Sequence, residues 1–257
     1  MRALALGSSS AGNCFVFEFD MGEGNNPFSL MVECGFSYQT IVSKLTSNGV
    51  RISDLGACLV THSHKDHCAA AGDLAKRGIP IFATKGTLEA MGMAGIGYPL
   101  KYGEPKMLAM GIAVMPFRVL HDAPEPAGFI IKTAKETVIF AIDAKDWLDD
   151  LTSIAPDYLF IEANYDSNLM KQEQFSLSKH GSMTDLQRYR VNERIKDSHM
   201  SISKTLELIS HLNKTRLKYI FLTHLSDRMS APSHWKAQAT AISGVPVRVA
   251  RKDNGFE

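Results

Sequence analysis

Three histidines and an aspartate fall within six residues in His62-Ser63-His64-Lys65-Asp66-His67. Imidazole and carboxylate are the ligand types that hold Zn²⁺, Mn²⁺ or Fe²⁺. Residues two apart on an extended chain face the same way, so His62 and His64 can present their rings to one point. This many titratable groups together without a cation would suffer desolvation or mutual repulsion. A solvated histidine-rich turn is the bland alternative, and it accounts for the cluster less well than a metal site does.

The flanking chain puts the cluster where a strand ends and a helix begins. Residues 57–61 are a short apolar run with strand character, and 66–77 read as a helix closed by Gly78. Before it, strands are expected over 3–6, 14–19 and 30–33, with turns at 7–13 and 21–27 and a helix over 38–48 ending at Gly49. After it, 80–83 and 113–120 read as strands, 128–133 with 137–143 as a hairpin, and 157–162, 219–223 and 245–250 as further strands. Helices are expected over 201–212 and 233–242. Two sheets with helices outside make an α/β, αββα four-layer sandwich. A chain of 257 residues, 45% hydrophobic, can bury such a core as one domain over 1–257.

Composition limits the partners. Lys and Arg total 28 against 27 Asp and Glu, so a nucleic acid would have to be held by a local patch or by metal ions. The apolar opening Met1-Arg2-Ala3-Leu4-Ala5-Leu6 is too short for a signal peptide, and no stretch approaches the ~20 apolar residues of a membrane span. A cytoplasmic protein with no membrane partner is expected. Cys14, Cys34, Cys58 and Cys68 lack a CxxC spacing and read as reduced, mostly buried thiols.

The HxHxDH pattern at His62, His64, Asp66 and His67 is complete, and with it the chain resembles the metallo-β-lactamase superfamily. The resemblance implies one metal held by His62, His64 and His121, a second held by Asp66, His67 and His224, and Asp143 bridging them. His121, Asp143 and His224 each follow a predicted strand. Taken alone, a histidine after a strand is more often a loop residue, and such an aspartate a turn former. His180, His211 and His234 lack this context and read as surface or packing residues.

Within the superfamily the chain is similar to the YycJ/WalJ-like branch, which is associated with DNA exonuclease activity. Leu4-Ala5-Leu6-Gly7-Ser8-Ser9-Ser10-Ala11-Gly12-Asn13 resembles its "ASGSxGN" opening, and Met31-Val32-Glu33-Cys34-Gly35-Phe36-Ser37 its "LVDAGLS", with Glu33 in place of Asp. His121-Asp122-Ala123-Pro124-Glu125-Pro126 and Phe160-Ile161-Glu162-Ala163-Asn164-Tyr165-Asp166 resemble "HDAxEP" and "FESNHD". There are departures too. "GHLS" stands as Ser198-His199-Met200-Ser201, "DTG" as Asp143-Ala144-Lys145, and the histidine of "ESNHD" is Tyr165. Residues 167–197 align poorly.

The resemblance implies two divalent metal ions, zinc as first choice and manganese as second, and a phosphodiesterase acting on nucleic acid, DNA ahead of RNA. Asp66 would also orient the nucleophile. Ligand nitrogens cannot deliver the proton that a leaving alkoxide needs. Phosphodiesterases of the superfamily use a histidine outside the metal shell, held by an acidic partner on an earlier strand, and His199 with Glu162 resembles that pair. Against this, His199 could be an exposed residue before the N-cap Ser201, and Glu162 a structural hydrogen-bond partner. The loop at 7–13 could be an anion-binding nest or only a tight hairpin, and Lys145 and Arg228 could contact phosphate or be solvated charge. A lactonase or thioesterase on the same fold would use the seven ligands without His199 and Glu162. A diiron reductase would carry Glu at the position of His64 together with a flavin domain, and a binding module would have lost a ligand.

Overall fold

The computed structural model describes residues 1–22, 26–109, 111–180 and 183–257, with the side chains of 178–180, 183 and 185 outside the description. Among the described residues, one sheet runs in chain order: β1 (Arg2–Ser9), β2 (Gly12–Phe19), β3 (Phe28–Val32), β4 (Leu55–Leu59), β5 (Ile81–Thr84) and β6 (Tyr98–Leu100). Its first three strands are an antiparallel meander, and β3 to β6 are parallel. The other sheet has β7 (Lys106–Ala109), β8 (Ile112–Leu120), β9 (Ala127–Thr133), β10 (Thr137–Ala141), β11 (Asp146–Trp147), β12 (Tyr158–Glu162), β13 (Tyr219–Thr223) and β14 (Val247–Val249) in the order β11-β8-β9-β10-β12-β13-β14, with β7 against β8. There β10, β12, β13 and β14 are parallel.

Alternation along the strands builds three apolar layers. In β2, Phe15, Phe17 and Phe19 enter the space between the sheets while Cys14 and Val16 face outward; in β12, Phe160 points in and Leu159 and Ile161 point out. The middle layer is aromatic: Phe160 stacks on Phe221 at 4.2 Å, and Phe15 meets Phe140 edge-on at 5.3 Å. Each such ring contributes roughly 1.5–3 kcal/mol through burial. Helices α1 (Tyr38–Ser47) and α3 (Ala71–Ala75) cover the outer face of the first sheet through Ile41, Leu45 and Leu74. On the second sheet α7 (Ile202–His211) and α8 (Pro232–Ser243) do so through Ile202, Ile209 and Trp235. The expected αββα sandwich is the architecture found.

Between these, α2 (Lys65–Cys68), α4 (Lys85–Ala90), α5 (Ser167–His180) and α6 (Met183–Ser198) complete the α-helices among the described residues. The single helix expected over 66–77 is broken into α2 and α3. Cys34 clips the break, accepting from Ala70 N–H at 3.0 Å and donating to the carbonyl of His67 at 2.7 Å. None of the helices is long and apolar enough to cross a membrane.

Candidate metal centre

The first sheet delivers its groups from the C-terminal ends of β3 and β4. His62 is buried; its Nδ1 is 2.9 Å from Thr61 Oγ1, which leaves Nε2 facing inward. His64 precedes α2, and Asp66 and His67 lie on it. His67 is fully buried, with Nδ1 3.5 Å from Glu33 Oε2 and Nε2 3.1 Å from Asp143 Oδ2. Gly35 makes this possible: a Cβ there would lie 1.7 Å from the Asp66 carbonyl oxygen, so only glycine lets the loop after β3 pass behind α2.

The second sheet supplies one group per strand end. His121 follows β8, with Nδ1 3.1 Å from the Ser198 carbonyl and Nε2 3.1 Å from His64 Nδ1. Asp143 follows β10 and His224 follows β13, at φ 50° and 55°. Left-handed backbone at a non-glycine residue costs of order 1 kcal/mol and collects at functional sites. Glu33, at φ 64°, shares the feature. The His224 turn is tied down by its N–H donating to Ser8 Oγ at 2.9 Å and by Asn164 Nδ2 donating to its carbonyl at 2.7 Å.

All seven residues marked in the sequence are brought together. Ligand atoms of His62, His64, His121 and Asp143 lie within 4.8 Å of one another, and so do those of Asp66, His67, Asp143 and His224. Asp143 belongs to both groups. His62 Nε2 and His224 Nε2 are buried with no hydrogen-bond partner, an arrangement costing about 1–3 kcal/mol for each unmet atom. A cation between the groups would meet both lone pairs, so the donor set fits divalent metal ions, with outer partners fixing the rings as metal-binding histidines require.

Charge balance points the same way. Burial is the largest influence on His62 and holds its imidazole well below the usual range, leaving it neutral with a lone pair to offer. Burial also opposes charge on His67, but Glu33 and Asp143 outweigh it and raise its pKa to about 10. Asp143 is held well below the carboxylate range: burial opposes this, and His224, His199 and His67 overcome it. Cations would balance the same carboxylates and displace the His67 proton, so binding should release protons.

A third group joins the other two. His199, 18% exposed, has Nδ1 2.8 Å from Glu162 Oε1 and 2.7 Å from Asp143 Oδ1. Burial opposes protonation here as well, yet Glu162 and Asp143 raise the pKa to about 11. Glu162, fully buried, also reaches His224 Nδ1 at 3.0 Å and accepts from Ala144 N–H at 2.7 Å. These groups open into a cleft of about 680 Å³ whose walls include Ser9, Ser10, Lys65, Arg194 and His199.

The 7–13 segment is the hairpin between β1 and β2, and its tip borders the cleft. Arg228 is paired with Glu173 at 2.6 Å and Lys145 with Asp197 at 3.7 Å. His211 and His234 are exposed, while the His180 side chain lies outside the described residues. Sequence reasoning missed the support shell of Glu33, Ser8, Asn13 and Asn164. Asn13 Nδ2 sits 3.1 Å from His67 Nε2. The signal was present, since Ser8 and Asn13 belong to the opening motif and Glu33 was noted as a departure, but no role followed from position alone.

Residues 30–224 match the family model described as beta-lactamase superfamily domain. Exodeoxyribonuclease WalJ of Streptococcus pneumoniae is 27% identical over 234 residues, covering 86% of this chain and 80% of that one. Exodeoxyribonuclease YycJ of Bacillus anthracis is 25% identical over 232 residues, covering 86% and 81%. Among solved structures, Zn²⁺-bound PqqB of Methylobacterium extorquens superposes with a TM-score of 0.69 at 16% identity, covering 100% of this chain and 99% of that one.

Proposed function

The chain belongs to the beta-lactamase superfamily, and from that premise we propose that it is a dinuclear-metal-dependent phosphodiesterase that degrades DNA in preference to RNA, as an exonuclease within the cytoplasm. Support for the substrate class comes from relatives named exodeoxyribonucleases that match along most of the chain. His62, His64 and His121 would hold one ion, Asp66, His67 and His224 the other, and Asp143 both. The imidazole-rich set favours zinc, with manganese second. Bound there, the ions would supply Lewis acidity at the phosphoryl group and a water of lowered pKa.

The chain's own groups supply the rest. Asp66, partly exposed beside His67 at 3.6 Å, can orient the attacking water. His199 carries the reading. Carboxylates occupy its Nδ1 edge, which leaves Nε2–H for the departing oxygen, and Glu162 with Asp143 stabilises the charged ring. Lys65 adds positive charge at the cleft for the phosphate backbone. A thiolate leaves without a proton at neutral pH, so a thioesterase would gain little from a donor placed this way.

The test is a panel of bis-p-nitrophenyl phosphate, end-labelled DNA and RNA, and lactones, run on metal-loaded wild type and on His199→Ala. On end-labelled DNA, kcat should fall roughly 10²–10⁴-fold in the variant while metal content is retained, whereas bis-p-nitrophenyl phosphate, whose p-nitrophenolate leaves without a proton, should be cut nearly as fast. Lactone turnover without phosphodiester turnover would refute the substrate class. A variant unchanged on DNA would remove His199 from the chemistry.

A further inference from the structure

The α5–α6 pair is the region that the sequence left unread, and it reaches the cleft. Val191, Arg194, Ile195 and Ser198 of α6 line the cleft. Their spacing of three, one and three residues puts them on one helix face. The pair is anchored to the body by Met170 and Ile195 packing with Tyr165 and Met229, so α6 is a fixed wall that continues outward past the candidate centre.

Its charges are unevenly spent. Glu173 accepts from Asn192 and Arg228, Glu193 from Gln174 and Lys196, and Asp197 faces Lys145. Arg194 pairs with Asp122 at 3.5 Å. One turn further out, Arg188 and Arg190 are exposed and have no ion-pair partner among the described residues. Arg188 lies in the row of Val191 and Ile195 and Arg190 in the row of Arg194, so the two unmatched cations flank the cleft-facing side of the helix and suit the phosphates of an extended polyanion laid along it.

We propose that the outer half of α6 is a track for the substrate strand, with Arg188 and Arg190 binding backbone phosphates several nucleotides from the bond that is cut. The inference rests on the nucleic-acid reading above. His199 lies eleven residues from Arg188, and at about 1.5 Å per helical residue the grip sits about 16 Å from the proton donor. That is the length of about five stacked nucleotides at ~3.4 Å each. Short substrates end before reaching it.

The experiment compares metal-loaded wild type with an Arg188→Ala/Arg190→Ala double variant on single strands of increasing length, with bis-p-nitrophenyl phosphate as the reference for the cut site. Binding of a phosphorothioate strand is followed across salt concentrations in parallel. In wild type, kcat/KM relative to the reference should climb until the strand exceeds about five nucleotides. The double variant should lose about ten-fold of that gain, and its log K against log salt slope should be shallower by about 1.4, two contacts at ~0.7 each. An identical length series and slope in the variant would overturn the track while leaving the nuclease reading intact. Strand binding with the shallower slope but no cleavage would overturn the nuclease reading and keep the track. A wild type that neither binds nor cuts strands defeats both.

Discussion

Two fully buried glutamates stand behind the histidines of the candidate centre, Glu33 at the end of β3 and Glu162 at the end of β12, and they are used differently. Glu162 is saturated. One oxygen faces His199 and His224 at 2.8 and 3.0 Å, and the other accepts from the N–H groups of Ala144 and, at 3.3 Å, Met200. It therefore ties the turn after β10, the segment after α6 and the turn after β13 to one another. Glu33 takes the Thr61 N–H at 3.2 Å and stands 3.5 Å from a single imidazole, His67. A buried carboxylate that joins three segments is a keystone of its rim, whereas one that backs a single ring tunes that ring.

The contrast orders the expected effects of substitution. Glu162→Gln should be the most damaging: it keeps the shape but weakens the hold on both His199 and His224, so phosphodiester kcat should fall on the order of 10²–10⁴-fold and the ion near His224 should bind more weakly. Steady-state kinetics with metal analysis by mass spectrometry reads both losses. Equal damage from Glu33→Gln would erase the distinction. For that variant the expectation is a 10–100-fold loss of affinity confined to the ion near His67, with the His62, His64 and His121 position retained.

Asp157, distant from the centre, calibrates the smallest effect on catalysis. Its buried carboxylate accepts from Thr137 N–H at 2.8 Å and meets Arg216 and Lys218 at 3.0 and 3.1 Å. Burial opposes ionisation, but these partners hold its pKa below the ordinary value. A depressed folded pKa gives stability that is present above the unfolded value of about 3.9 and is lost as pH falls through the folded one. Asp157→Asn should cost about 1–3 kcal/mol at neutral pH with kcat unchanged. In urea titrations the difference from wild type should shrink once the pH drops below about 4.

Legibility followed the range of the interactions. His62, His64, Asp66 and His67 could be read as a site because four donors sit on one turn of chain. His121, Asp143 and His224 are each one polar residue after an apolar strand, and topology alone makes them neighbours; only the resemblance joined them in advance. The break between α2 and α3 was hidden because its cause is a backbone hydrogen bond from Cys34, more than thirty residues earlier. Glu33 stood out only as a departure from a motif, and its role behind His67 was hidden, since burial of a carboxylate leaves no mark in the pattern. In α6, residues such as Gln187-Arg188-Tyr189-Arg190 keep no clear apolar stripe, because much of that helix faces solvent and the cleft.

The central claim is that side chains from two sheets hold a pair of divalent ions sharing Asp143. Anomalous diffraction at the zinc edge, from crystals of zinc-loaded protein, tests it most directly. Two peaks are predicted, one among His62, His64 and His121 and the other among Asp66, His67 and His224, with Asp143 touching both. No peak there, or a single one that leaves either set of side chains without a cation, would contradict the account.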